Sequence, residues 1–391
     1  MTLARKGELM TSAATLSTSR NDTLDLSLIE LSSRLTPVRK ALDQEIINRA
    51  LAAAMHSYDL SYRPYVHTVP PCGVSLVSDS GRVFNGVQFQ NAAYPSSFDE
   101  VRVALANLIA SGERSVAAIV IYGQKPTLKG TGIELLAEFS PHCAVITADT
   151  KGKVDWNIVK FPEDYVRGAH STFAPRHRSD VVRIFGADAL QEGRPLPLSK
   201  EELSPLLTVD LAAVYRQLPQ HTRDNISSER FIIAAEIACI TSANAYAPYS
   251  NYPVGAAAVL KSGNIYGACN YETQGLELGS CGERTALSRA AAGGEFLAGT
   301  QKFDERLSLL ITYVPNALAA EPCGGCRQMI LEAGVDFPVV ALGTGASVTL
   351  CDSFTTGKVT KLKFEGDKVA SSEDVTQGGF APAFFGAKHL S

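Results

Sequence analysis

Apolar residues recur at helical spacing in three stretches of the chain, which predicts helices over about residues 41–57, 209–218 and 228–245. Before the second of these, residues 172–206 carry four prolines and several charges, a composition typical of an interdomain linker. Other short apolar runs are rich in β-forming residues and bounded by turn residues, so they predict strands, with further helices between them. The pattern therefore indicates an α/β protein in two parts.

The two parts repeat each other. Three pairs of residues share a single offset of 182 positions: Gly73 with Gly255, Gly81 with Gly263, and Leu105 with Leu287. In both copies a Ser-Gly pair separates two β-rich runs, which predicts a hairpin. Each copy reads helix, strand, turn, strand, helix, strand, helix, strand, so the sequence predicts one α/β fold present twice.

This organisation divides the chain into four segments. Residues 1–40 are predicted to be a flexible tail, 41–171 a first domain, 172–206 the linker and 207–391 a second domain. The first forty residues are rich in Ser, Thr and Leu and poor in acidic residues up to Arg20, so a transit peptide is the alternative for the tail.

Charge and composition exclude several classes of function. The 391 residues carry a net charge of −4 with no long run of Lys or Arg, which argues against a nucleic-acid-binding surface. No apolar run approaches twenty residues and no signal-peptide pattern is present, so we expect no membrane span. We expect a cytoplasmic protein, with an organellar location as the alternative if the tail is a targeting segment.

Three cysteines in the second domain carry the spacing of a metal site. Cys281 and Glu283 open one predicted helix, and Cys323 and Cys326 open another about forty residues later. Three thiolates can hold Zn²⁺ and leave its fourth position open to water, while a Glu two residues after a ligand can move protons. A redox pair or half of a structural zinc site is the alternative for a C-x-x-C pair alone. The Glu and the Pro before the pair favour the signature of zinc deaminases.

Arg284 directly follows the predicted proton shuttle. Its guanidinium can hydrogen-bond a ligand sulfur and withdraw charge from an electron-rich metal centre. A solvated charge on a helix surface is the alternative interpretation.

At these residues the chain resembles the cytidine deaminases. The resemblance rests on "YAPYSNYPVGAAAVLKSGNIYGACNYETQGLELGSCGERTAL" and "PCGGCRQMI", and it covers about residues 228–342. It implies a duplicated three-layer α/β/α domain with a mixed sheet. It also implies that Tyr252 stacks on the base, and that Asn270 and Glu272 hold the ribose 3′-hydroxyl. The backbone N–H of Gly282 is expected to hold the base carbonyl.

The C-terminal segment "APAFFGAKHL" resembles the family's terminal segment more faintly. In the family, a Phe of that segment covers the pocket of a neighbouring subunit, and this role falls on Phe385. Core packing of Phe384 or Phe385 is the alternative.

The first domain lacks the catalytic residues. The offset of 182 places Asp99 and Val101 at the positions of Cys281 and Glu283, and matching prolines place His142 opposite Cys323. We therefore predict that the first domain is inactive and that His142 is a surface residue.

The first domain nevertheless keeps Asn91-Ala92-Ala93-Tyr94, a stretch that completes neighbouring sites in the tetrameric members of the family. The resemblance therefore implies that Tyr94 reaches an active site, with packing in an interdomain core as the alternative. Two chains would supply the four copies of a tetramer, so we predict a homodimer.

The predicted reaction is hydrolytic deamination of free cytidine or deoxycytidine in pyrimidine salvage, with a zinc-activated water and Glu283 as proton shuttle. One rival is a deaminase that edits RNA or DNA, which the acidic charge and the ribose pair disfavour. The other is a non-enzymatic zinc scaffold, which the intact Glu283 disfavours.

Overall fold

A computed structural model describes residues 42–65, 70–140, 142–160, 208–297, 306–319, 321–353 and 356–375. Within these ranges the chain forms two mixed sheets, of five and seven strands, each with helices on both faces. The predicted duplicated α/β/α fold is therefore confirmed. The predicted tail and the whole predicted linker lie outside the described residues, and the segment boundaries stay a prediction.

The first half builds the five-stranded sheet, in the order β2-β1-β3-β4-β5. Its elements are α1 (Gln44–Asp59), β1 (Cys72–Ser78), β2 (Val83–Gly86), α2 (Glu100–Ala110), β3 (Val116–Gly123), α3 (Gly130–Phe139), β4 (His142–Asp149) and β5 (Val154–Lys160). Strands β3 and β4 are parallel and the other pairs are antiparallel. Helix α1 packs on one face of the sheet, and α2 and α3 pack on the other.

The second half repeats this arrangement in a seven-stranded sheet, in the order β12-β11-β10-β9-β8-β6-β7. Its helices are α4 (Leu211–Gln217), α5 (Gln220–Asn225), α6 (Ser228–Ser242), α7 (Gly282–Ala292) and α8 (Gly324–Ala333). Its strands are β6 (Gly255–Leu260), β7 (Ile265–Cys269), β8 (Leu307–Tyr313), β9 (Val339–Leu342), β10 (Ser347–Cys351), β11 (Val359–Glu365) and β12 (Lys368–Asp374). The predicted element order holds in both halves as far as β4 and β9.

Strand β5 and strands β10 to β12 extend the two sheets beyond the predicted repeat. Strand β12 is exposed along its whole length and therefore lacks the alternation of apolar and polar residues that marks a half-buried strand. It pairs with β11, so backbone hydrogen bonds to a neighbouring strand hold it in place.

Equivalent glycines show that the duplication extends to packing detail. A Cβ atom on Gly73 would lie 1.9 Å from the carbonyl oxygen of Ala54, and one on Gly255 would lie 1.8 Å from that of Ala238. In both halves the first long helix therefore rests directly on the backbone of the first strand, where only glycine fits. The hairpin glycines Gly81 and Gly263 have φ of 82° and 99°, so the predicted hairpins form as expected.

The two halves share one apolar core, which contains side chains of α2 and α7. The Arg289 Nε atom donates a 2.9 Å hydrogen bond to Oδ1 of Asn107, and these residues occupy equivalent positions in the two copies. The Arg114 guanidinium donates to the backbone carbonyl of Asn244, and the side-chain amide of Asn244 donates to the carbonyl of Ala110. The contact surface thus runs through equivalent helices and has an approximate two-fold relation.

The structure corrects the alignment of His142. This residue is exposed and begins strand β4, whereas Cys323 is the N-cap of helix α8. The residue equivalent to Cys323 is Lys129, the N-cap of α3. The matching prolines misled the alignment because the second half is longer than the first on both sides of its third strand, most of all between α7 and β8. The prediction that His142 lies on the surface is right.

Candidate metal centre and active cleft

The three cysteines predicted to bind metal come together in the second half. Their sulfur atoms all lie within 4.8 Å of one another. The Sγ of Cys323 is 3.8 Å from that of Cys281 and 3.4 Å from that of Cys326. Cys281 caps the N-terminus of α7 and Cys323 caps that of α8, so two helix ends converge on the cluster.

The positive ends of these helices favour a thiolate at Cys323. Hydrogen bonds from Cys281 and Cys326, and then from the backbone N–H groups of Cys326 and Gly325, hold the pKa of the Cys323 thiol well below its usual range. The same contacts raise the pKa values of Cys281 and Cys326. One negative charge is therefore already favoured within the cluster, and a bound cation would favour the others.

Glu283 is the second residue of α7 and is 6% exposed. Burial raises the pKa of its carboxyl to about 7, and the charge of Cys323 acts in the same direction. Its side chain lines the same cleft as Cys281 and Cys323. The structure thus places the predicted proton shuttle beside the predicted ligands.

The Arg284 guanidinium lies beside the cluster and is not a solvated surface charge. Its central carbon is 4.7 Å from the ring centre of Phe98, a residue of the first half. A Cβ atom on Gly325 would lie 3.6 Å from Arg284 Nη1 and 4.0 Å from the Sγ of Cys323, so the guanidinium borders the ligand turn. A cation at this place lowers the electron density of the thiolates. Nothing in the sequence indicated the role of Phe98, because it comes from the other half.

The three predicted nucleoside-binding residues Tyr252, Asn270 and Glu272 line the cleft. The Tyr252 ring is 37% exposed, and burial and then the charge of Glu283 raise the pKa of its hydroxyl. The Asn270 side chain accepts from the N–H of Val254 and donates to the carbonyl of Tyr252, so it positions the aromatic residue. The Glu272 carboxylate accepts from the N–H groups of residues 249 and 250 and from the hydroxyl of Ser250.

The cleft has a volume of about 1040 Å³ and an acidic lining. Within the described residues, one cation and four carboxylates line this cleft: Arg284, Glu272, Glu277, Glu283 and Glu321. Such a lining repels phosphate groups and accepts neutral, hydroxyl-bearing ligands.

The remaining predicted residues lie elsewhere. Gly282 begins α7 and is buried, but it is not among the described residues that line the cleft. The Tyr94 side chain is 71% exposed, so it neither packs in an interdomain core nor lines the cleft of its own chain. Its contact with a second chain stays a prediction. Phe385 lies outside the described residues.

Different side chains occupy the equivalent place in the first half. Asp99 caps α2 and accepts from the N–H of Arg102, and Val101 is buried at the Glu283 position. Lys129 Nζ lies 2.8 Å from the buried Oε1 of Glu100. An ion pair therefore stands where the second half has its sulfur cluster, and this supports the interpretation of the first half as inactive.

The donor set fits zinc. Zinc prefers tetrahedral sulfur and nitrogen ligands, and a catalytic zinc keeps three protein ligands and one open position. Cys281 and Cys323 line the cleft, and the sulfur of the buried Cys326 lies within 4.8 Å of theirs. They are the only group of three or more potential metal ligands within the described ranges.

Comparison with known proteins agrees with this geometry. Residues 231–342 and residues 8–123 each match a family model described as the zinc-binding region of cytidine and deoxycytidylate deaminases. Zn²⁺ is accordingly the cofactor. The first-half match carries this description although the ligand positions there are occupied by Asp99 and Lys129.

Each of three relatives matches 30% of this chain or less. The cytidine deaminase of Sporosarcina psychrophila is 39% identical over 88 residues, which cover 22% of this chain and 58% of that protein. The Mycobacterium tuberculosis cytidine deaminase is 35% identical over 104 residues, 25% of this chain and 71% of that protein. The crystal structure of cytidine deaminase from Burkholderia pseudomallei is 31% identical, with a TM-score of 0.27, and the match covers 30% of this chain and 89% of that one.

In helices within the described residues, no segment has the length and hydropathy to cross a membrane. The chain belongs to the cytidine deaminase family and carries its fold twice.

Proposed function

We propose that this protein hydrolyses the exocyclic amino group of free cytidine or deoxycytidine, with uridine or deoxyuridine and ammonia as products, as a step of pyrimidine salvage. The observation that carries the proposal is that the three cysteine sulfurs cluster at a cleft which Cys281, Cys323 and the buried Glu283 line together. Zinc bound by the three thiolates supplies a Lewis acid with one position free for a water molecule.

The side chains of the cleft have distinct roles in this reaction. The Glu283 carboxylate accepts a proton from the attacking water and delivers it to N3 of the ring. It then carries the second proton, from the hydroxyl group now on C4, to the amino nitrogen, which leaves as ammonia. Tyr252 offers its partly exposed ring to the base. Glu272 accepts a hydrogen bond from a ribose hydroxyl, and the Gly282 N–H faces the base carbonyl. Phe385 of a neighbouring subunit covers the pocket.

The acidic lining supports a nucleoside over a nucleotide or a polynucleotide. Two unit charges 4 Å apart interact by about 4 kcal/mol near a protein surface, so a phosphate beside Glu272 or Glu277 is strongly disfavoured. The net charge of −4 acts in the same direction for a nucleic-acid strand.

The test is a panel of substrates offered to the zinc-loaded chain, with loss of cytosine ultraviolet absorbance as the measurement. Cytidine, deoxycytidine, their 5′-monophosphates and a single-stranded oligodeoxycytidine form the panel. We expect turnover of the nucleosides alone. Turnover of the oligonucleotide alone would favour the editing activity, and no turnover of any compound would leave a non-enzymatic zinc protein.

A further inference from the structure

A buried glutamate of the inactive half contacts the wall of the active cleft. Glu138 lies near the end of α3 and is 3% exposed. Its Oε1 accepts hydrogen bonds from the hydroxyls of Tyr246, at 2.8 Å, and Tyr249, at 2.7 Å. Its Oε2 lies 3.4 Å from the backbone nitrogen of Gln274. A buried carboxylate is costly unless donors surround it, so these three contacts across the two halves are specific features of the fold.

The same arrangement occurs in the opposite direction. Glu332 of the active half is 4% exposed, and its Oε1 accepts from the hydroxyls of Tyr62, at 2.8 Å, and Tyr65, at 2.5 Å. Its Oε2 accepts from the N–H of Ala92 at 3.1 Å. Glu138 and Glu332 are each the ninth residue of their helix. Each half therefore inserts one glutamate into the other, and we name these two sites the reciprocal clamps.

The two clamps have different neighbours. Tyr249 and Gln274, held by Glu138, line the active cleft. The N–H of Tyr249 donates to Oε2 of Glu272 at 3.0 Å. Tyr249 therefore links Glu138 to Glu272, the residue predicted to bind the ribose. In the inactive half, the N–H of Tyr65 donates to Gln90, which stands at the position of Glu272.

The Glu138 clamp also reaches the base-binding residue. The hydroxyl of Ser250 donates to Glu272 and accepts from the N–H of Tyr252 at 3.0 Å. Tyr246 joins the same network through its backbone, which accepts from the N–H of Glu272 at 2.8 Å. The segment 246–252 and the segment 270–274 are thus held together at the point where Glu138 contacts both.

We propose that Glu138 is a positioning residue of the active cleft, supplied by the inactive half, which fixes the nucleoside-binding wall formed by Tyr249, Tyr252 and Glu272. This inference rests on the proposed function for the identity of the ligand. The hydrogen bonds of Glu138 go to Tyr246, Tyr249 and Gln274, and not to the sulfur cluster or Glu283. Its loss should therefore weaken nucleoside binding and leave the chemical step intact.

Two tyrosines offer a matched test. Tyr249→Phe and Tyr65→Phe each remove one hydroxyl from one clamp and leave the ring in place. Loss of one hydrogen bond to a charged acceptor corresponds to about a tenfold change in affinity. We expect Tyr249→Phe to raise KM for cytidine by about that factor with nearly unchanged kcat and zinc content, and Tyr65→Phe to leave KM unchanged.

A double-mutant cycle isolates the contact. Glu138→Gln, Tyr249→Phe and the double variant should show effects on KM that are clearly less than additive, because both changes remove the same interaction. Equal KM changes in Tyr249→Phe and Tyr65→Phe, or additive effects in the cycle, would overturn the inference. If Glu138→Gln does not fold, the tyrosine pair alone decides.

Binding of uridine, measured by calorimetry in the same variants, separates the two proposals. If the wild-type chain binds uridine but does not deaminate cytidine, the proposed function is wrong. The dissociation constants of uridine in the variants would still test the Glu138 clamp. A wild-type chain that binds neither nucleoside overturns both.

Discussion

Replacing Phe98 with leucine should impair the metal centre of the other half of the chain. Phe98 is completely buried, and the guanidinium carbons of Arg102 and Arg284 lie 4.0 and 4.7 Å from its ring centre. The ring therefore contacts two cations, one of which borders the sulfur cluster. Leucine keeps most of the apolar volume but has no π-face to hold them.

The magnitude follows from these two contacts. A desolvated cation–π contact contributes about 0.5–2 kcal/mol, so the loss of both lowers the free energy of unfolding by about 1–4 kcal/mol. Arg284 also loses its support beside Cys323. Changes in residues that support metal ligands typically reduce metal affinity or activity by about 10- to 100-fold, and we expect Phe98→Leu to fall in this range.

The assay combines urea unfolding of the zinc-loaded protein with zinc affinity and cytidine turnover. Phe231→Leu is the matched control, because Phe231 is equally buried and its ring lies 5.8 Å from that of Tyr215. The control should cost stability through packing alone and keep zinc affinity. If both variants lose the same stability and both keep full zinc affinity, the ring of Phe98 is only packing and the reasoning fails.

Four further predictions concern the metal and the assembly. The chain should bind one zinc, since among the described residues only the second half brings three ligands together. Metal analysis giving two zinc ions per chain, or zinc kept in Cys323→Ala/Cys326→Ala, would contradict this. Because the Tyr94 side chain is 71% exposed, Tyr94→Ala should raise KM without loss of zinc if it enters a partner's cleft. Light scattering should show a homodimer for the whole chain. Residues 206–391 alone should be poorly soluble and inactive, because the two halves share one apolar core. Full activity of that fragment would refute a role for the first half.

The sequence was most informative where one local pattern determines the structure. Cys281 and Cys323 each stand immediately before a predicted helix, and both are N-caps in the structure. The spacing of two residues between Cys323 and Cys326 places their sulfurs together for the same reason. Ungapped repetition likewise predicted the hairpins and the helix starting after Asp99, because the length between these elements is the same in both copies.

The sequence was least informative for contacts between the halves. Phe98 and Glu138 touch residues more than a hundred positions away, and no periodicity indicates such pairs. The second motif was misaligned onto His142 because the copies differ in length on both sides of the third strand, most of all before it. The sequence also contained no indication that Asn91 and Ala92, just before Tyr94, bind helix α8 of the same chain.

The most direct test of the account is the turnover of Glu283→Gln with its zinc content measured in the same sample. Glutamine preserves the size and polarity of this buried side chain but cannot take up a proton. We predict a folded variant that retains one zinc and loses at least about 100-fold in kcat on cytidine, the usual scale of general acid–base catalysis. A zinc-loaded variant with nearly normal turnover would contradict the assignment of Glu283 as the proton shuttle.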